Sequence, residues 1–328
     1  MPRPEPHSAP SPAAQPSTPT PAGSPAAGGS TAPGLAMVLG CYLLWGFFPL
    51  YFRLLSAAGS VEIIGHRIVW TLITCLALIA ASHRWRALAG VLRTPRLLAP
   101  LAACGLLVSL NWLVYVYGVS TERTADAALG YFINPLVTVA LAALVLGERL
   151  RRAQVLCIAL AAAGVAVLVL AQGSLPWISL ALALTFGLYG LVKKRVAAQV
   201  DALTGLCAET LTVVPLALGY LGWLAWQGAS VMQGPQASPL LGVLLVVAGP
   251  VTAVPLLLFA AGARRVALSV VGISQYLGPI IQFILAWAVF HEEIPPARWA
   301  AMVLVWAAVI LFILDAAHQL ARRPHLRG

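Results

Sequence analysis

Residues 125–152 read ADAALGYFINPLVTVALAALVLGERLRR. Between Ala127 and Gly147 no side chain is charged, and Arg149, Arg151 and Arg152 follow at once. About 20 apolar residues are what a helix needs to cross the hydrocarbon of a bilayer, and a cationic cluster beyond such a run marks its cytoplasmic end. The pattern repeats from near residue 34 to residue 316. The chain of 328 residues is 60% hydrophobic and 9% charged, with mean hydropathy +0.90. Soluble domains carry about 25% charged residues, so a soluble globular fold is excluded.

Cutting the sequence at charge clusters and turn residues predicts ten spanning helices, at 34–55, 61–82, 97–119, 125–147, 153–170, 176–193, 203–226, 239–262, 268–290 and 297–316. The net charge of +10 would suggest a nucleic-acid partner in a soluble protein. Here the basic residues sit in clusters between spans, and no nucleic acid is expected. Sixteen of the 20 Lys and Arg fall on one face: Arg3, the connections after the second, fourth, sixth and eighth spans, and the C-terminal tail. Only Arg53, Arg67, Arg123 and Arg298 fall on the other. Positive charge marks the inside, so both termini are expected in the cytoplasm.

Residues 1–33 are rich in Pro, Ala and Ser and cannot bury enough apolar surface to offset the entropy of ordering, so a disordered tail is expected. Residues 317–328 read as a basic cytoplasmic tail. The five cysteines (Cys41, Cys75, Cys104, Cys157 and Cys207) are odd in number, lie in apolar runs and lack a C-x-x-C spacing; they read as small hydrophobes.

Shifting the chain on itself by 144 residues brings Trp45-Gly46 onto Tyr189-Gly190, Tyr117-Gly118 onto Ala261-Gly262, Pro135 onto Pro279, and Leu146-Gly147-Glu148 onto Phe290-His291-Glu292. Each copy holds five spans, an odd number, so the second copy must cross the bilayer upside down. The repeats occupy 34–170 and 176–316. Inverted repeats are a recurrent plan of secondary transporters, because two near-equivalent halves can exchange roles between inward-open and outward-open states.

The runs Leu44-Trp45-Gly46-Phe47-Phe48-Pro49-Leu50-Tyr51, Glu62 to Trp70, Gly130 to Pro135, Gly249 to Ala261 and Gln275-Tyr276-Leu277-Gly278-Pro279 resemble RarD-type proteins of the EamA group, within the drug/metabolite transporter superfamily. The resemblance covers about residues 34–316. It implies an all-α integral membrane protein of the bacterial inner membrane, a permease whose central cavity is lined by spans one to four and six to nine. A small-molecule substrate and the lipid bilayer are the partners it implies, and a homodimer stays open.

Polar groups inside hydrocarbon are costly, so those facing a bundle interior are functional candidates. In the fourth span Asp126, Gly130, Asn134 and Thr138 share one face, flanked by Tyr131 and Pro135. The ninth span stacks Gly272, Gln275, Tyr276, Pro279 and Gln282 in the same way. These stripes either line a cavity or bond neighbouring helices. Asn111, with Tyr115 and Gly118 on its face, carries the same two readings. Trp45, with Tyr42 and Pro49, either binds a flat solute or packs on a neighbour. Pro135, Pro250, Pro255 and Pro279 are expected to kink their helices. Glu62, His66, Arg67 and Glu209 are the candidates for gating or coupling, against a snorkelling arginine and a locally paired glutamate. Glu148 and Asp315 read as structural, while Glu122, Arg123, Glu292 and Glu293 read as solvated.

No G-x-S-x-G, H-E-x-x-H or P-loop is present, and the six histidines are scattered. No catalytic residue, metal or cofactor is therefore expected. The reading is a secondary transporter of a small metabolite or drug-like solute, working by alternating access. A passive facilitator is the nearest alternative and a membrane-embedded enzyme the more distant one. Cysteine labelling should find Gln227 to Ser238 outside and Lys193 to Val200 inside; labelling of both segments from the same side would overturn the ten-span topology.

Overall fold

The computed structural model describes residues 32–147, 149–196 and 199–321. Glu148, most of the expected N-terminal tail and the last seven residues of the C-terminal tail lie outside these. The described residues form helices α1 (Ala32–Leu54), α2 (Ser60–Ala81), α3 (Trp85–Leu92), α4 (Pro95–Ser120), α5 (Thr124–Leu146), α6 (Arg152–Gln172), α7 (Trp177–Lys194), α8 (Ala202–Trp226), α9 (Pro239–Ala263), α10 (Leu268–Ser274), α11 (Leu277–Ile284) and α12 (Pro296–Ala321). Ten spans are long and apolar enough to cross a membrane. At 1.5 Å per residue, the 22 residues of α2 reach roughly 33 Å, close to the hydrocarbon thickness. Leu144, Leu170 and Trp226, each more than 80% exposed, belong to the belt that faces lipid.

The local chemistry of the helix ends explains the boundaries. Pro95 and Pro239, exactly one repeat apart, both open helices at positions where the missing N–H costs nothing. Gly147 closes α5 in the left-handed region at φ 67°. Its repeat mate His291 adopts the same conformation at φ 53° after the ninth span. Asp201 caps α8 by accepting from the backbone N–H groups of Leu203 and Thr204, and it pairs with Arg84 at 2.9 Å. Burial raises the Asp201 carboxyl, but the Thr204 contacts and Arg84 outweigh it and hold the group below its ordinary value.

Three elements differ from expectation. The ninth span is interrupted at Gln275 and Tyr276, between α10 and α11, and ends in a π-helical turn at Leu285–Val289. Pro279 cannot bond the carbonyl of Gln275 one turn back, which places the interruption where the ladder is already missing a rung. Pro135, Pro250 and Pro255, by contrast, sit inside α5 and α9 without interrupting them. The basic connection after α2 folds into α3, which buries Leu88 and Val91 and leaves Trp85 half exposed. Finally, α12 continues to Ala321, five residues past the expected end.

Packing follows the repeat. Helix α1 lies against α9 and α11, while its mate α7 lies against α4 and α5, the mates of α9 and α11. The pairs α2–α8, α5–α11 and α6–α12 join mates across the pseudo-twofold axis. The fold is therefore two inverted five-helix repeats. One pair of glycines shows how tightly the halves mesh: a Cβ on Gly105 would stand 2.5 Å from the Glu209 carbonyl oxygen, and one on its mate Gly249 would stand 2.3 Å from that of Trp70. Backbones can touch there only without a side chain.

Gly105→Ala and Gly249→Ala should each destabilise the purified protein by about 1–3 kcal/mol, read as a lower melting temperature in detergent. Gly190→Ala, where a Cβ meets nothing within 4 Å, should be silent. Equal tolerance at all three positions would contradict the packing described.

Candidate functional site

Arg67 lies seven residues into α2, about 10 Å from the face opposite the basic connections. It is 3% exposed. Its Nε donates to the Thr252 hydroxyl of α9 at 2.8 Å, and its Nη1 is buried without a partner. Among the described residues no carboxylate pairs with it. The guanidinium carbon instead stands 4.0 Å from the ring centre of Trp112, 5.3 Å from Phe52 and 5.7 Å from Phe48. Phe52 in turn packs on Tyr51 at 5.1 Å and on Tyr115 at 5.9 Å between centroids, which brings these phenols to the same cluster. Rings facing a desolvated cation contribute up to about 2 kcal/mol, whereas a charge removed from water without a counter-charge costs several kcal/mol. The aromatic cradle offsets only part of that cost.

Beside this group runs a chain of hydrogen bonds. Tyr131 donates to Asn111 Oδ1 at 3.1 Å, and Asn111 Nδ2 donates to the Leu182 carbonyl at 3.0 Å and to the Thr185 hydroxyl at 2.9 Å. Asn111 thus joins α4 to α7, with both ends of its amide engaged. Tyr115 packs on Tyr131 at 5.7 Å between centroids, and its hydroxyl is buried without a partner. Arg67, Asn111, Tyr115 and Tyr131 therefore come together. The other candidates lie apart. Trp45 stands against Tyr42 and Phe259, and its carbonyl accepts from Gln282 Nε2 at 3.0 Å. Gln275 donates to the carbonyl of Gly272 within its own helix, Tyr276 stacks on Phe132, and Asn134 keeps a buried oxygen without a donor.

The gating candidates separate as well. Glu62 accepts from the Ser230 hydroxyl at 2.7 Å and from the backbone N–H of Val231 at 3.0 Å, tying α2 to the connection between α8 and α9 beside a surface cavity of about 220 Å³. His66 is half-buried and takes no part in that contact. Glu209, seven residues into α8 from the basic face, pairs with Lys193 of α7 and accepts from Tyr189 at 3.5 Å. Asp126 holds Arg123 at 2.9 Å and Arg298 at 3.2 Å rather than facing the interior alone. Asp315, as expected, has a structural partner, Arg151, at 2.8 Å. Glu292 corrects the expectation of a solvated residue: it is 8% exposed and accepts from the backbone N–H groups of Thr124 and Ala125 at 2.9 and 3.0 Å. A carboxylate on the free N–H groups of a helix start is favourable, and the left-handed turn at His291 delivers it there. No three His, Cys, Asp or Glu side chains come together to hold a metal among the described residues.

The family model for the EamA-like transporter family matches twice, at residues 32–170 and 175–314. The chain belongs to that family. A protein RarD of Streptomyces exfoliatus is 44% identical over 88% of this chain and 90% of its own length. An uncharacterized transporter of Vibrio cholerae is 42% identical over 85% and 91%, and protein RarD of Escherichia coli is 39% identical over 85% and 93%. A solved crystal structure aligns with a TM-score of 0.54 at 21% identity, over 88% of this chain and 98% of that one, and has the same fold. The chain is thus a RarD-type EamA membrane transporter.

In this transporter the equivalent helix crossings of the two repeats are not packed alike. Away from the basic connections, Arg53 of α1 pairs with Glu122 at 3.0 Å and covers the Phe290 ring at 4.3 Å, while Glu292 holds the start of α5. Below them α1 presses on α11 so closely that a Cβ on Gly46 would stand 2.8 Å from Ile281. At the basic face the equivalent crossing joins α7 to α5, yet Gly190, the mate of Gly46, faces nothing within 4 Å. The tight approach there is at Gly187, one turn away from the basic end, where a Cβ would meet Leu141 at 3.0 Å. Gly187 also meets Val137, the repeat mate of Ile281, at 3.6 Å, so the α7–α5 crossing is shifted by about one turn relative to the α1–α11 crossing.

The Glu209–Lys193 pair can be tested directly. Lys193→Met should leave the buried Glu209 with only the long Tyr189 contact and lower stability, read from the melting temperature, by less than the 3–5 kcal/mol of a fully buried pair because Lys193 is 26% exposed. Adding Glu209→Gln should recover most of that loss. A double variant whose losses simply add would show that the two side chains do not compensate one another.

Proposed function

We propose that the chain is a secondary transporter that moves a small metabolite or drug-like solute across the bacterial inner membrane by alternating access, with both termini in the cytoplasm. The observation that carries this reading is the unequal packing of two equivalent seams: α1 meets α11 at Gly46, whereas nothing lies within 4 Å of a Cβ on its mate Gly190 and the tight contact of α7 with α5 falls one turn away at Gly187. When two inverted copies of one motif adopt different conformations, exchanging those conformations reopens the closed face and closes the open one. No step in that exchange requires ATP. The sixteen basic residues on the face of the α7–α5 crossing support assigning it to the cytoplasm.

In this reading Arg53, Glu62 and Glu292 hold the outer face shut, and Glu209 with Lys193 fixes α7 to α8 on the inner side. Arg67 and the phenols around it stand between the two seams. A facilitator of the same fold would need a path open to both faces at once, and the tight outer seam at Gly46 favours alternation.

The test uses reporter cysteines at Tyr51 and Leu191, in a background with the five native cysteines replaced, and impermeant maleimides applied from either side of proteoliposomes. The wild-type seam should protect Tyr51→Cys and leave Leu191→Cys reactive from inside. A bulky wedge, Gly46→Trp, should reverse both reactivities. Simultaneous reactivity at both positions in one population would favour a facilitator over alternation.

A further inference from the structure

We propose that Arg67 is the recognition point for a negative charge on the transported solute, so that the cargo is a small organic anion. This deepens the transport reading and rests on it. Arg67 is buried between α2 and α9, and the structure supplies no counter-charge for it among the described residues. Among the described residues the other Lys and Arg side chains that are not exposed, Arg53, Arg123, Lys193 and Arg298, each have a carboxylate against them. A guanidinium has five N–H donors in a planar fork that matches two oxygens of one acid group. Here one donor, Nε, is fixed by the Thr252 hydroxyl, which orients the fork. Nη1 is buried and unpartnered.

A second donor points the same way. The Tyr115 hydroxyl is buried without a partner, and its ring packs at 5.9 Å on Phe52, the ring that the Arg67 guanidinium faces at 5.3 Å. A guanidinium N–H and a phenol O–H, both unpaired and held in apolar surroundings, form a donor set without an acceptor. An acid group supplies both the missing acceptors and the missing charge, and hydrogen bonds to ionised groups are roughly twice as strong as neutral ones. The side chains that face the guanidinium are the rings of Phe48, Phe52 and Trp112. They suit the carbon body of an organic anion better than a hydrated inorganic ion. The headgroup of a bilayer lipid is a poor fit, because Arg67 is 3% exposed and lies within the bundle.

The experiment measures thermal stabilisation of the purified full chain in nanodiscs. The probes are phenylacetate and phenyl phosphate, each at millimolar concentration, with phenylacetamide and chloride as controls. At least one organic anion should raise the melting temperature saturably, and neither control should. Arg67→Gln should weaken that anion by roughly 10- to 100-fold, the range for a lost hydrogen bond to a charged group, while its ligand-free melting temperature stays equal or rises, because an uncompensated charge has left the interior. Tyr115→Phe, which removes one unpartnered hydroxyl, should weaken binding with little change in melting temperature and covers the case in which Arg67→Gln does not fold. Stabilisation by neither anion, equal stabilisation by phenylacetamide or chloride, or undiminished anion response in both variants would overturn the proposal. Anion binding without simultaneous closure and opening of the two faces would overturn alternation and leave this inference standing.

Discussion

Hydrocarbon offers no hydrogen bond, and that constraint governs everything else in this protein. Each backbone N–H and C=O inside the bilayer must find its partner within the chain, which leaves a bundle of helices as the available form. With the backbone satisfied, helix faces are free to be almost wholly apolar. The few charges that remain inside then stand out because each needs its own compensation. Glu209 has Lys193, Asp126 has two arginines, and Glu292 has the start of a helix. Arg67 has aromatic faces and a single hydroxyl.

The inverted repeat turns this economy into a machine with two ends. Glycines at Gly105 and Gly249 hold the same backbone contact in both halves, and Pro95 and Pro239 start equivalent helices. These features are symmetric. The seams at Gly46 and Gly190 are not. The asymmetry between the halves therefore lies in how α1 and α7 sit against α11 and α5.

Much of this was legible in the linear chain. Spans could be read because lipid imposes a length, and the repeat could be read because one offset serves Pro135, Gly147 and Glu148 at once. The interruption at Gln275 was half visible: Pro279 signals a missing hydrogen bond, but the same residue at Pro135 leaves α5 whole. Glu292 was misread as solvated because its neighbours are polar, and only the turn at His291 swings it under α5. The surroundings of Arg67 were the least accessible. Asn111, Tyr115 and Tyr131 were recognised, yet Tyr51 and Thr252 come from two other spans and Trp112 reaches Arg67 from its place beside Asn111 on α4, and contacts between spans leave no periodicity within any one of them. Lys193 looked like a topological marker and is also the partner of Glu209.

A lone cation fixed about 10 Å beneath one face has an electrical consequence as well as a chemical one. It lies inside the potential drop across the membrane, where carrying one elementary charge the whole way is worth about 2.3 kcal/mol per 100 mV. Under the alternating-access reading proposed above, exchange of the seams would change the fraction of that drop between Arg67 and each aqueous side even with the residue itself scarcely moving. The empty carrier would then feel membrane voltage, and a bound group that cancels the charge would make the loaded carrier indifferent to it.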